Sequence, residues 1–227
     1  MATKYDFTRI ALMWRPEKGH RRICVGVLSV PKNGDGLAFA YNDKGVDEAK
    51  SIDPNFVGYP GLPLNSTQLS SSQISEVFFG RLINNTRNDV ADFYDFWLVD
   101  KSKANDPLYV LAQTQGLSAS DMFEFVPQYF QSHKPSFITD IAGISKYGFD
   151  LSLLSEGDTL TFTHEKDNPF DTNAVYVSFN GGKIGYIKKG HNTVFIRKNT
   201  KGIKVTVWSI TNVPGYEKLY ARVDIKY

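Results

Sequence analysis

The sequence predicts an α+β protein made of two successive parts, a small sheet with helices and then a β-meander. Alternating apolar residues at Phe7 to Trp14 and at Ile23 to Val30 are typical of strands. Apolar residues at helical spacing follow near position 74. In the second half, three short alternating runs lie within Thr161 to Lys189 and are joined by turn-forming residues. A length of 227 residues allows one large or two small domains.

The first part begins with strands and a crossing segment. Leu37 to Tyr41 is expected to return from the second strand through a turn at Asn33 to Gly36. Asp53 to Leu64 is rich in Pro and Gly, and it is expected to be extended because Pro donates no amide and restricts the preceding residue. Four apolar side chains of this segment are expected to pack across the sheet: Phe56, Val57, Leu62 and Leu64.

A helix is predicted next. Ser70 and Gln73 have the spacing of a capping box, in which each side chain bonds the backbone amide near the other. Apolar residues then recur at helical intervals, at Ile74, Val77, Phe78 and Leu82. The helix is expected to run for about three turns and to end near Asn84 and Asn85.

The β-meander of the second part is organised by a tight reversal at Asn180-Gly181-Gly182. A tight hairpin needs positive φ at its centre, and Asn and Gly reach that conformation at the least steric cost. The reversal fixes the register of Ala174 to Phe179 against Ile184 to Ile187. Within the first of these runs, Val175, Val177 and Phe179 are expected to face the core.

Positive charge is concentrated in the second half of the chain. The net charge is only +2, but residues 1–144 hold 14 Lys and Arg against 16 Asp and Glu, and residues 145–227 hold 12 against 8. One stretch carries seven cations and no acid: Lys183, Lys188, Lys189, Arg197, Lys198, Lys201 and Lys204. This stretch is either a solvated face or, together with nearby aromatic rings, a nucleic-acid groove in which cations meet phosphates and rings stack on bases.

The sequence offers little support for membrane insertion, metal binding or catalysis. Apolar runs stay far below the roughly 20 residues of a membrane span, and the N-terminus lacks the features of a signal peptide, so a cytoplasmic location is expected. The single cysteine, Cys24, lies in an apolar run and is expected to be buried. The four histidines are scattered, and Asp167 to Ser178 lacks the Gly and Glu of a calcium loop. We therefore expect a non-enzyme without metal or cofactor.

The run DNPFDTNAVYV, followed by GGKIGYIKK, resembles the HIRAN domain. Gly143 to Tyr147 resembles the entry strand of that family, so that the resemblance extends from about Phe137 to the C-terminus. It implies a small β-barrel of the oligonucleotide-binding (OB) kind that binds single-stranded DNA, preferably at a 3′ end.

The same resemblance implies roles for individual residues. Asp171 would accept a hydrogen bond from a free 3′-hydroxyl, while Phe170 and Tyr147 would stack on the terminal bases. For these two rings a place in the barrel core is an equal alternative, and turn formation is the favoured role for Asn168 and Asn173. The full set of candidate nucleic-acid-binding residues is Lys146, Tyr147, Phe170, Asp171, Tyr186, Lys188 and Lys189.

Residues 7–128 resemble the N-terminal subdomain of HipA-type kinases. The matching features are Val25-Gly26-Val27-Leu28, Leu62-Pro63-Leu64, the Phe-Phe helix at Val77 to Leu82, and Asp106 to Pro127. The segment Leu82 to Arg87 keeps only the outline of the family pattern, and the large catalytic domain of those kinases has no counterpart here. The resemblance implies a protein-interaction module.

The predicted organisation is therefore a HipA-N-like module at residues 1–130 and a HIRAN/OB-like β-barrel at residues 137–227, with a boundary at Gln131 to Ser136. The expected function is non-enzymatic binding of single-stranded DNA at 3′ ends. The alternative is an antitoxin-type partner that binds and inhibits a separate HipA-like serine/threonine kinase toxin. Neither function involves a membrane.

Overall fold

A computed structural model of the chain describes residues 5–17, 19–30, 36–65, 69–130, 134–197, 200–213 and 215–226. The chain divides into two compact units, Met1–Gln128 and Tyr129–Tyr227. Residues 33–35 of the predicted turn, the first half of the predicted boundary (residues 131–133) and Lys198 lie outside the described residues.

The strands of the first unit are β1 (Phe7–Trp14), β2 (Ile23–Ser29), β3 (Ala38–Tyr41), β4 (Gly58–Tyr59), β5 (Leu62–Pro63) and β6 (Phe123–Tyr129). Its α-helices are α1 (Asp43–Ile52), α2 (Ser71–Phe79), α3 (Val90–Phe96) and α4 (Pro107–Thr114), with a 3-10 turn at Lys101–Lys103. The second unit holds β7 (Ser136–Ala142), α5 (Ile144–Tyr147), β8 (Thr159–His164), β9 (Val175–Phe179), β10 (Gly182–Ile187), β11 (Ile203–Thr211) and β12 (Lys218–Ile225), with 3-10 turns at Leu151–Leu153 and His191–Val194.

The first unit is built on a four-stranded sheet in the order β3-β2-β1-β6. The strands predicted from alternation at the N-terminus are present, and β1 and β2 pair antiparallel. Ile10, Leu12 and Val25 are each fully buried. Cys24, which was expected to be buried, is only half-buried and packs against Ala11 and Met13.

Helix α1 was not predicted, and it packs against β2. Its residue Gly45 lies so close to the backbone of Cys24 that a Cβ at position 45 would overlap the Cys24 carbonyl oxygen. Of the four apolar residues expected to pack across the sheet, Phe56 and Leu62 are buried. The expectation is wrong for Val57, which is 72% exposed, because it precedes the β4–β5 hairpin on the solvent side.

Helix α2 begins at the predicted capping box, in which Ser70 and Gln73 each bond the backbone amide of the other. Its buried residues are Ile74 and Phe78, as the helical spacing indicated. The helix ends at Phe79 and not near Asn84, since Gly80 forms its C-terminal cap.

The second unit is a closed six-stranded barrel in the order β10-β7-β12-β11-β8-β9. Alternate residues of β12 are buried, so one face of each strand fills the interior and the other faces outward. The Asn180-Gly181 reversal joins β9 to β10 with φ of 47° and 81° at its two central residues, as a primed two-residue turn requires. Val175 and Val177 are fully buried, whereas Phe179 is only half-buried.

The predicted entry strand at Gly143 to Tyr147 is wrong. The strand in this region is β7, and Ile144–Tyr147 is the short helix α5 that follows it. Gly143 and Gly148 are its two cap residues, and the reversal of the chain at these glycines ends the extended backbone.

Among the described helices, none is long and apolar enough to cross a membrane. Within the same described part of the chain, His, Cys, Asp and Glu side chains do not gather into groups of three or more that could hold a metal ion.

Candidate nucleic-acid interface

Asn168 organises the turn that carries the predicted site. Its side-chain oxygen accepts hydrogen bonds from the backbone amides of Phe170 at 2.9 Å and Asp171 at 3.1 Å. Its side-chain nitrogen donates to Glu165 at 2.6 Å. The prediction that Asn168 acts as a turn residue is confirmed, and this turn fixes the backbone at positions 170 and 171.

The carboxylate of Asp171 is held in one orientation by two donors. Its Oδ1 atom accepts the backbone amide of Asn173 at 2.9 Å, and its Oδ2 atom accepts the side-chain nitrogen of Asn192 at 3.0 Å. Asn192 is buried and also donates to the Asn173 carbonyl at 2.8 Å. An ionised carboxylate has about four acceptor positions, so these bonds leave room for a further donor.

Phe170 lies on the surface. It is 62% exposed, so the alternative of a core position is wrong for this ring. The Lys146 ammonium, on the exposed side of α5, lies 5.8 Å from the centre of the Phe170 ring. An exposed ring and a cation are therefore adjacent beside Asp171.

A second group, here called the tyrosine–lysine cluster, consists of Tyr147, Tyr176, Lys183 and Tyr186. The Lys183 ammonium lies 4.8 Å from the ring centre of Tyr147 and 4.5 Å from those of Tyr176 and Tyr186. Tyr176 and Tyr186 are direct partners in the β9–β10 pair, and α5 supplies Tyr147. The three rings thus surround the same half-buried cation.

Glu165 connects this cluster to the Asn168 turn. It accepts hydrogen bonds from Lys183 at 3.1 Å and from the Tyr186 hydroxyl at 2.7 Å, in addition to the bond from Asn168. The Tyr147 hydroxyl donates to that of Tyr186 at 3.0 Å. The turn and the cluster therefore form one hydrogen-bonded network.

This network shifts the pKa values of its members. Hydrogen bonds from Asn168, and then from Tyr186 and Lys183, lower the pKa of Glu165 to about 2. Burial of the Tyr186 hydroxyl, supported by its bonds with Tyr147 and Glu165, raises its pKa to about 12. Partial burial lowers the pKa of Lys183, but hydrogen bonds with Tyr186 and Glu165 outweigh this and raise it above its ordinary value. At neutral pH the network holds an ion pair between Lys183 and Glu165.

The two lysines after β10 differ in position. Lys189 is exposed, as a phosphate contact requires. Lys188 is 1% exposed, and its ammonium lies 2.5 Å from the carboxylate of Asp140 on β7. Lys188 therefore does not lie on the surface with the other predicted residues.

The structure thus brings Lys146, Tyr147, Phe170, Asp171 and Tyr186 together and keeps Lys188 apart. Sequence reasoning left out four residues that orient the site: Glu165, Tyr176, Lys183 and Asn192. The sequence pattern indicated Lys183 only as one of seven cations, and it did not indicate a role in the site for Glu165, Tyr176 or Asn192.

The comparisons with known proteins concern the barrel. Residues 134–224 match the family model of the HIRAN domain, which confirms the resemblance of the C-terminal part. No curated protein matches the sequence significantly. Two solved structures are similar to part of the chain.

One of these structures is the HIRAN domain of human HLTF, at 17% identity and a TM-score of 0.33, covering 39% of this chain and 73% of that one. The other is a protein from Lactobacillus plantarum, at 21% identity and a TM-score of 0.29, covering 38% of this chain and 91% of that one. Because both scores lie below 0.5, the HIRAN assignment depends on the family model. That match leaves residues 1–133 outside, so the HipA-type resemblance of residues 7–128 stays a prediction.

Proposed function

We propose that the HIRAN domain at residues 134–224 binds single-stranded DNA and prefers a free 3′ end. The observation that carries this proposal is the exposed ring of Phe170 in the turn that fixes the backbone at Asp171. A ring at the surface offers a stacking platform for a terminal base. The proposal assigns binding to this chain and no chemical reaction.

Asp171 is suited to recognise a hydroxyl. Its two hydrogen bonds, from Asn173 and Asn192, keep the carboxylate in place before any ligand arrives. A 3′-hydroxyl would donate to one of the remaining acceptor positions. An internal phosphate has no such donor, and the two negative charges would repel each other. Asp171 thereby favours an end over the interior of a strand.

The tyrosine–lysine cluster limits which ring faces are open to a base. Tyr147 and Tyr186 each turn one face toward Lys183, so a base would stack on the outer face of Tyr147. The exposed cations Lys146 and Lys189 are the proposed phosphate contacts. Lys188 is left out because a phosphate contact would require its ion pair with Asp140 to open.

The test is fluorescence anisotropy with one oligonucleotide carrying either a 3′-hydroxyl or a 2′,3′-dideoxy end. Since a hydrogen bond to a charged group contributes about 1.5–3 kcal/mol, we expect the free end to bind about tenfold more tightly or better. Asp171→Asn is expected to reduce this preference, and affinity is expected to fall as salt rises. If the wild-type protein binds the 3′-hydroxyl and the dideoxy oligonucleotides with equal affinity, Asp171 does not recognise the 3′ end. If the protein shows no salt-dependent binding of the oligonucleotide, DNA is not its ligand.

For residues 1–128 we infer a protein-interaction module, and the proposed partner is a HipA-like serine/threonine kinase. What favours an interaction surface is the exposure of two apolar side chains close together in the sequence, Ile52 at 44% and Val57 at 72%. The test is co-purification of the full chain with a HipA-like kinase that lacks its own N-terminal subdomain. We expect Val57→Asp to weaken the complex; unchanged recovery of the kinase with Ile52→Asp/Val57→Asp would contradict this surface.

A further inference from the structure

Two adjoining cavities lie on the outer wall of the barrel. One has a volume of about 480 Å³ and is lined by Lys134, Ser136, Asp224, Ile225 and Lys226. The other has a volume of about 360 Å³, and its lining includes Glu156, Lys204, Thr206, Trp208, Arg222 and Asp224. Asp224 lines both cavities, which therefore adjoin each other, and the two together are here called the Trp208 groove.

The strand register places this groove at the far end of β7 from the candidate interface. Tyr186 of the tyrosine–lysine cluster lies opposite Ala142, the last residue of β7. Asp224 lies opposite Ser136, the first residue of β7, and Lys204 lies opposite Asp224 on the next strand. Six residues of strand at about 3.3 Å each separate the two sites by roughly 20 Å.

The charge of the groove is positive. Four cations line it against two carboxylates, Glu156 and Asp224. Asp224 is already neutralised, because Arg222 bonds both of its oxygens at 2.9 Å and Ser136 donates to it at 2.6 Å. Although desolvation opposes it, these bonds lower the pKa of Asp224. The exposed lysines Lys134, Lys204 and Lys226 therefore face a single remaining acid.

An aromatic ring lies among these cations. Trp208 is half-buried at the bulge of β11, and the guanidinium carbon of Arg222 lies 5.9 Å from its ring centre. Cations along a groove with an aromatic ring in it are the combination that holds the backbone and a base of a single strand. Five lining residues belong to the outward set of β11 and β12, whose alternate neighbours Val205 and Val223 fill the core.

We propose that the Trp208 groove is a second nucleic-acid contact, which binds the phosphate backbone of the same strand several nucleotides before its 3′ end. This inference rests on the proposed function and extends it from an end-binding site to a defined footprint. Stacked nucleotides advance by about 3.4 Å each, so a separation of roughly 20 Å corresponds to about six nucleotides. A strand of four nucleotides would fill the terminal site alone, and one of fourteen would reach both.

The experiment measures the affinity of the full chain for single-stranded oligonucleotides of four and fourteen nucleotides, each with a free 3′ end, over a range of salt. We expect the longer strand to bind more tightly and with a steeper salt dependence. The variant Lys204→Glu/Lys226→Glu is expected to weaken the fourteen-mer at least tenfold and to leave the four-mer unchanged. Removing two phosphate contacts is expected to reduce the salt slope for the fourteen-mer by about 1.4.

The matched control is Lys44→Glu/Lys50→Glu, which makes the same change of charge on the exposed side of α1 in the first unit. An equal loss of fourteen-mer affinity in this control would contradict binding at the Trp208 groove, because the change in net charge alone would then explain the effect. Equal wild-type affinity for both lengths would also overturn it while leaving the end-binding site intact. If neither strand binds, the groove and the proposed function both fall. Thermal unfolding of each variant, followed by circular dichroism, verifies that the fold is retained.

Discussion

In the candidate interface, the folded structure lowers the pKa of Glu165. Its pKa is lowered from 4.5 to about 2 by bonds from Asn168, Tyr186 and Lys183. In the unfolded chain this carboxylate takes up its proton near its ordinary pKa, so the unfolded state binds the proton first as pH falls. The free energy of unfolding contributed by Glu165 is therefore fully present above about pH 4.5 and is lost toward pH 2.

We predict that the stability difference between the wild type and Glu165→Gln narrows as pH falls through this range. The glutamine variant has no group at position 165 that titrates there, whereas all other carboxylates are shared and cancel in the comparison. Urea unfolding of both proteins at about pH 6 and about pH 3 measures the difference. A difference that does not change with pH would contradict the network around Glu165.

Phe170 is predicted to matter for binding and little for stability. Its ring is 62% exposed, so Phe170→Ala is expected to change the free energy of unfolding by no more than about 0.5 kcal/mol. Loss of one stacked base costs about 1–3 kcal/mol, which corresponds to a reduction in affinity of about 5-fold to 150-fold. Leu153→Ala is the control, because Leu153 is 65% exposed and is not one of the candidate binding residues. Comparable losses of oligonucleotide affinity in both variants would count against stacking on Phe170.

For individual residues, the sequence predicted those contacts that join positions close together in the chain. The Asn168 turn could be predicted because its bonds reach only two and three positions ahead. The contact between Lys183 and Glu165 could not, since it joins residues 18 positions apart through the pairing of β8, β9 and β10. Burial of Lys188 was missed for the same reason, as its partner Asp140 comes from β7.

The packing of helix α1 on strand β2 depends on the close approach of Gly45 to Cys24. A Cβ at position 45 would overlap the backbone of Cys24, so Gly45→Ala is expected to displace the helix. Overpacking of this kind costs typically 1–3 kcal/mol, which exceeds the gain of about 1 kcal/mol in helix propensity. We predict a net loss of stability in urea unfolding. Gly80→Ala is the control, because the atom nearest to a Cβ at position 80 is 3.4 Å away. It is expected to change the free energy of unfolding by no more than about 0.5 kcal/mol. Similar losses of stability in both variants would contradict the close contact between Gly45 and Cys24.

Elements with strong local signals were predicted correctly, and elements defined by packing were not. The capping box of α2 and the Asn180-Gly181 turn need only their own few residues. Helix α1 begins with Asp43 and contains Gly45, which are typical of turns, and its position is set by the sheet beneath it. Helix α4 had a usable signal that was overlooked: Asp106 caps it and Pro107 occupies its first position.

For the whole molecule, we predict that residues 129–227 fold alone. They form one of the two compact units, and their barrel closes on itself with its own buried interior. This fragment is expected to unfold in a single cooperative transition and to bind a four-nucleotide strand with the affinity of the full chain. Circular dichroism with urea and fluorescence anisotropy measure the two properties. A fragment that lacks a cooperative transition would show that the barrel depends on the first unit.

The change of composition and motifs along the chain predicted a two-part organisation. The HIRAN resemblance depended on a long ordered motif, and the family model confirms it over residues 134–224. The barrel implied by that resemblance is confirmed by the closed ring of six strands. Its strand order could not be predicted, because it depends on β7 pairing with both β10 and β12 at a separation of up to 88 residues.

Closure of the barrel also decides how a partner molecule can be held. Each strand of the closed ring pairs with two neighbours, so the described barrel offers a peptide no edge strand that it could extend with a strand of its own. Recognition is then left to side chains projecting from the wall and the turns. Individual side chains on this frame can therefore change during evolution, and with them the ligand, while the backbone that carries them stays the same.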